Sequence, residues 1–63
     1  MTVFDLKSVR HIKNKSLELF GEQFTERQSI LYVVELARTI DAPISLELRQ
    51  DAEFYNIDTE DLR

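Results

Sequence analysis

The chain predicts a small all-α fold, a three-helix bundle with a possible short fourth helix at a helix-turn-helix-like C-terminal corner, and three observations carry that expectation. Apolar residues recur at helical spacing over three stretches, one glycine and one proline divide those stretches, and residue types that favour helix starts precede each of them. The 63 residues read as a single domain, 1–63. A domain of that size buries only about 60% of its unfolded surface, so its stability is marginal and a partner chain would help.

In the first stretch Leu6, Val9, Ile12, Leu17, Leu19 and Phe20 share one broad arc of a helix, with Asp5 placed to cap its start and Gly21 its end. Lys13 projects into that arc. Either its stem lies along apolar surface or the helix begins later. A short strand over residues 2–6 is the competing reading, because Thr2, Val3 and Phe4 are β-branched or aromatic.

The second stretch opens with Thr25 and Gln28, the spacing of a capping box. Ile30, Leu31, Val33, Val34, Leu36, Ala37 and Ile40 then wrap more than half of the helix, with Glu35 and Arg38 on the wet side. One neighbouring helix cannot cover so wide a stripe, which points to a bundle or a dimer seam. Pro43 ends it by restricting the residue before it. The third stretch starts at the N-cap Ser45 and divides its apolar residues between two faces, Leu48, Ala52 and Tyr55 on one, Leu46, Phe54 and Ile57 nearer the other. One face suits the home core and the other a second chain. Leu31, Val34, Leu46, Phe54 and Ile57 are therefore the candidate apolar interface or core residues.

From Leu48 to Arg63 the spacing resembles a helix-turn-helix. Ala52 stands where a small residue lets two helices approach, Tyr55 follows one turn later, Asn56 occupies the turn, Ile57 comes after it, and Leu62 lies within the second helix. Asparagine replaces the usual glycine but tolerates the left-handed conformation such a turn needs. The resemblance implies a second helix whose first residues, Asp58, Thr59, Glu60 and Asp61, would meet base edges in the major groove. Phosphates repel acids at those positions, whereas DNA-binding surfaces gain affinity by neutralising phosphates with Lys and Arg.

Charge is graded along the chain. Residues 1–16 carry Lys7, Arg10, Lys13 and Lys15 against Asp5, a net +3; residues 17–40 sum to −2; residues 41–63 set seven acids against Arg49 and Arg63, a net −5. Arg10, His11, Lys13 and Lys15 are the candidate nucleic-acid contacts, although they interrupt an apolar stripe instead of forming a basic face. Asp51, Glu53, Asp58, Glu60 and Asp61 are the candidate partner-binding acids, suited to a basic groove where charge accelerates docking.

Little in the sequence points to catalysis. There is no cysteine, one histidine, and no arrangement of Ser8, Ser16, Ser29 or Ser45 with a base. Neighbouring acids such as Asp51 and Glu53 point apart on a helix, and no calcium-loop spacing occurs, so no cofactor or metal is expected. A hydrophobic fraction of 43% with 32% charged residues suits a folded soluble domain, and no apolar run spans a membrane. The N-terminal residues lack the pattern of a secretory signal, so a cytoplasmic setting is expected. These observations favour a non-enzymatic adaptor or regulator, a homodimer that binds another protein; the alternative is a dimeric DNA-binding transcriptional regulator.

Overall fold

The computed structural model describes residues 3–62. Three α-helices follow one another, α1 Leu6–Phe20, α2 Glu26–Ile40 and α3 Leu46–Phe54, and give the all-α bundle the sequence predicts. Each starts at a side-chain cap. Asp5 accepts from the Ser8 N–H at 3.1 Å while the Ser8 hydroxyl accepts from the Asp5 N–H, so two amides without intrahelical partners are satisfied together. Thr25 and Gln28 form the same reciprocal box for α2, and Ser45 accepts from the Leu48 N–H for α3. The helix therefore does begin ahead of Lys13, whose ammonium reaches Glu26 at 3.2 Å from a half-buried position.

The helix ends are equally local in origin. Gly21 takes the left-handed conformation at φ 77° and donates to the Leu17 carbonyl. Asp41 at φ 55° and Asn56 at φ 61° do the same without being glycine. Both close Schellman motifs, in which the amides after the helix reach back to its last carbonyls. The Ala42 N–H donates to Ala37 at 2.9 Å, and the Ile57 N–H to Ala52 at 2.8 Å. In each case the residues so joined are apolar and buried, so the termination is sealed by packing as well as hydrogen bonding.

The core takes Val9 from α1, Ile30, Val33, Val34 and Ala37 from α2, Ile44 from the second connection, Leu48 and Ala52 from α3, and Ile57 beyond it. The broad stripe of α2 is thus shared between α1 and α3 of the same chain, the bundle outcome of the two that its width allowed. Val34 and Ile57 are core residues and not exposed interface. The α1 stripe is rotated from the arc the sequence predicts. Leu17 and Leu19 are exposed and Ser16 is fully buried, its hydroxyl donating to the Lys13 carbonyl and accepting the Phe24 N–H at 2.8 Å. That pairing removes the cost of burying the hydroxyl and anchors the α1–α2 connection.

The alternative strand over residues 2–6 is reduced to one pair. Phe4 bridges Ile44 in parallel sense, its N–H donating to Pro43 at 3.1 Å and its carbonyl accepting from Ser45 at 2.8 Å. Leu6 already belongs to α1, and Thr2 lies outside the described residues. The possible fourth helix is also replaced. Among the described residues, the chain after Ile57 makes a single turn, closed by the Leu62 N–H on the Thr59 carbonyl at 3.0 Å. Three carbonyls of this segment also accept from arginines. Arg38 Nη2 donates to Asp58 at 3.0 Å, and Arg49 donates to Thr59 at 2.7 Å and to Leu62 at 2.8 Å. No helix among the described residues is long and apolar enough to cross a membrane.

Two substitutions probe these contacts. Thr25→Ala removes the α2 cap and should lower unfolding free energy by about 1 kcal/mol in urea titration. An unchanged midpoint would place the origin of α2 stability elsewhere. Val34→Asp puts an unpaired charge among fully buried side chains and should abolish the cooperative transition seen by far-ultraviolet circular dichroism.

Candidate interaction surface

With the core gathered around α2, the side of α3 turned away from it carries apolar groups that no other described residue covers. Leu48 and Ala52 point inward, so residues at Leu46, Gln50 and Phe54, four apart, line the opposite face. Phe54 is 81% exposed and Leu46 68% exposed. Phe54 rests only its edge against Tyr55, with ring centres 5.3 Å apart and planes near perpendicular, which holds the ring outward without burying it. Glu47 and Glu53 flank this stripe on its two sides by their helical positions.

Beyond the helix, Glu53, Asp58 and Glu60 line an open recess of about 320 Å³ with Asn56, Ile57 and Thr59. The turn conformation there is fixed from within. The Asp58 carboxylate accepts the Glu60 N–H at 3.0 Å, buried Thr59 tucks under Arg49, and Ile57 plugs into the core. Glu53, Asp58 and Glu60 are thereby presented on one rigid end of the molecule, next to Phe54. None of the three forms an ion pair among the described residues.

The other two predicted acids face inward to the chain's own cations. Asp51 is half-buried and lines a cleft of about 310 Å³ with Arg10, Lys13 and Glu26. Asp61 is clasped by Arg38, with contacts of 2.6 Å from Nε and 3.0 Å from Nη2. These hydrogen bonds hold the Asp61 carboxyl below its ordinary value of 3.8 and, together with Glu35, drive the Arg38 guanidinium further up. Part of the charge gradient along the sequence is therefore neutralised inside one chain.

The predicted basic residues are likewise divided. Arg10 and Lys13 border the cleft that holds Asp51, His11 stands on the other flank of α1, and Lys15 pairs with Glu18 at 3.4 Å. They do not form one patch. Leu31, the remaining apolar candidate, is 39% exposed on α2.

No family model, curated protein or solved structure matches this chain. Its surface has to be read from its own chemistry. Arg38 and Arg49 are the residues that sequence reasoning missed. Arg38 reads as solvent-facing by helical periodicity, and only the folded chain brings the segment from Asp58 to Leu62 across it and Arg49.

Acid titration checks the Arg38–Asp61 contact. A carboxyl that is more acidic when folded contributes its full stabilisation above 3.8 and loses it as pH falls through the lower folded value. The urea midpoint should therefore drop as the pH is lowered past 3.8, and Arg38→Met should flatten this acid limb while speeding amide exchange between Ile57 and Leu62. An identical acid limb in wild type and variant would show that the pair contributes nothing, as exposed pairs often do.

Proposed function

We propose that this chain is a small non-enzymatic adaptor or regulator of the cytoplasm, acting by occupancy, and that it docks protein partners through the outer face of α3 and the acidic end beside it. The observation that carries this reading is the stripe of Leu46 and Phe54, exposed at 68% and 81% on a helix whose other leucine, Leu48, is fully buried. A large aromatic held outward beside a rigid polar border has the composition of an interface anchor, whose burial contributes most of a contact's affinity. The neighbouring acids Glu53, Asp58 and Glu60 favour a partner surface bearing Lys or Arg, which would steer and orient the encounter. Self-association, with a homodimer as its simplest form, belongs to the same reading.

The hydroxyl groups support a binding role over a chemical one. Ser8 and Ser45 cap helices, while Ser16 and Ser29 donate to the carbonyls of Lys13 and Thr25. Each serine is thus engaged in holding the backbone, and the Ser8 hydroxyl also donates to the Asp5 carboxylate of its own cap at 3.4 Å.

Capture from lysate by the tagged chain tests the proposal when wild type is compared with the double variant Leu46→Ser, Phe54→Ser. Both positions are exposed, so the variant should keep its melting temperature and lose the proteins that wild type retains. Retention of the same proteins by both forms would overturn the assignment of this face. A heparin column separates the reading from that of a DNA-binding regulator. The acidic adaptor should flow through at low salt, whereas binding that weakens steeply with rising salt is the signature of phosphate contacts.

A further inference from the structure

A second apolar surface lies on the other side of the molecule, and its chemistry is the complement of the first. Phe4, Ile12, Val33 and Leu36 floor a groove of about 360 Å³ whose walls come from the N-terminal segment, α1 and α2. The cleft on the α3 side of α1 is lined instead by Arg10, Lys13 and Asp51, so α1 and α2 are covered by α3 on one side and open on the other. Phe4, Ile12 and Leu36 are each only half-buried. One turn before Leu36 on α2, Tyr32 joins Phe20 and Phe24 in an aromatic cluster with ring centres 4.9–6.2 Å apart.

The rim of this groove carries Lys7 and His11, and Lys15, which pairs with Glu18, stands at the next four-residue step along α1. All three are exposed. From Lys7 to Lys15 the helix rises about 12 Å, the same span as Leu46 to Phe54 on the outer face of α3. One surface therefore offers an apolar floor with cations along its edge, and the other an apolar ridge with Glu47 and Glu53 along its flanks.

We propose that the occupant of the α1–α2 groove is the α3 ridge of a second copy of this chain, Phe54 entering between Ile12 and Leu36 while one of the two acidic flanks of the ridge meets the α1 edge that carries Lys7 and Lys15. This rests on the docking role assigned above to the α3 face and names its partner. The contact is heterologous, because two different surfaces meet, so each added copy leaves a groove free at one end and a ridge at the other. Such a contact grows into chains unless its rotation closes a ring. A single nine-residue helix on a groove makes a small interface, and small interfaces associate weakly. Assembly therefore rises with concentration, and the charged edge makes it fall with added salt.

Sedimentation velocity on the full chain, over a range of concentrations at low and high salt, provides the test. Wild type should pass beyond the mass of a dimer as concentration rises. Phe54→Ser, which spoils the ridge, and Leu36→Glu, which spoils the groove, should each remain monomeric. Mixed in equal amounts, they should form one discrete dimer, since the intact groove of the first accepts the intact ridge of the second. Lys7→Glu with His11→Glu reverses the rim at exposed positions and repeats the groove arm without touching its floor, should Leu36→Glu fail to fold. A wild type that is monomeric at every concentration overturns the proposal. So does a dimer that each variant abolishes and the mixture does not restore, which is the mark of a two-fold contact. If wild type is monomeric while Phe54→Ser still loses proteins captured from lysate, the α3 docking role stands and only its pairing with the groove is lost.

Discussion

The apolar stripe of α2 covers more of its circumference than one neighbour can shield, and the chain meets that constraint by laying α1 along one flank and α3 along the other. Four α2 side chains, Ile30, Val33, Val34 and Ala37, are buried as a result, and full burial of a branched aliphatic side chain contributes roughly 1.5–3 kcal/mol. In a domain this small such a contribution decides whether the chain folds. The connections have to be short and sharply closed for the two flanking helices to reach α2. That is why α1 and α2 each end at a left-handed residue, and why α2 and α3 each start at a side-chain cap.

What remains outside the three helices is held by polar contacts as well as by the burial of Ile44 and Ile57. The N-terminal segment is tied to the α2–α3 connection by the backbone pair at Phe4 and Ile44, and the C-terminal segment by Arg38 and Arg49. Ile57 and Thr59 are buried in that last segment, and Leu62 packs against the core. Among the described residues the placement leaves the outer face of α3 and the open side of the α1–α2 pair without cover, and these are the two surfaces to which binding is assigned.

Much of this was legible in local sequence, because helix caps are short-range chemistry. Asp5, Thr25, Ser45, Gly21 and Asn56 all act where their residue types predict. The division of α3 into two faces was legible too, with Ile57 the one residue that the structure moves to the inner side. Ile57 lies beyond the helix, and the Schellman turn swings it inward while Phe54, within the helix, stays outside. Ser16 was hidden for a different reason. Its burial depends on the Phe24 amide arriving from the next connection, a contact eight residues away that periodicity does not encode. The single turn that stands in place of the short acidic helix was hidden for the same kind of reason, since the guanidinium groups that hold its carbonyls come from helices ten or more residues earlier.

Those guanidinium groups also constrain how the chain can vary. Arg49 spans the carbonyls of Thr59 and Leu62 with two different nitrogens, and Arg38 reaches the Asp61 carboxylate and the Asp58 carbonyl from one planar fork. A lysine carries its charge on one compact ammonium and cannot hold two acceptors apart in that geometry. At these two positions Arg and Lys are different residues in every sense that matters to the fold. Along the α1 edge, where Lys7 and Lys15 stand in solvent, either cation would supply the same field. Equal net charge in two versions of this chain would therefore say little about whether the segment after Asn56 keeps its shape.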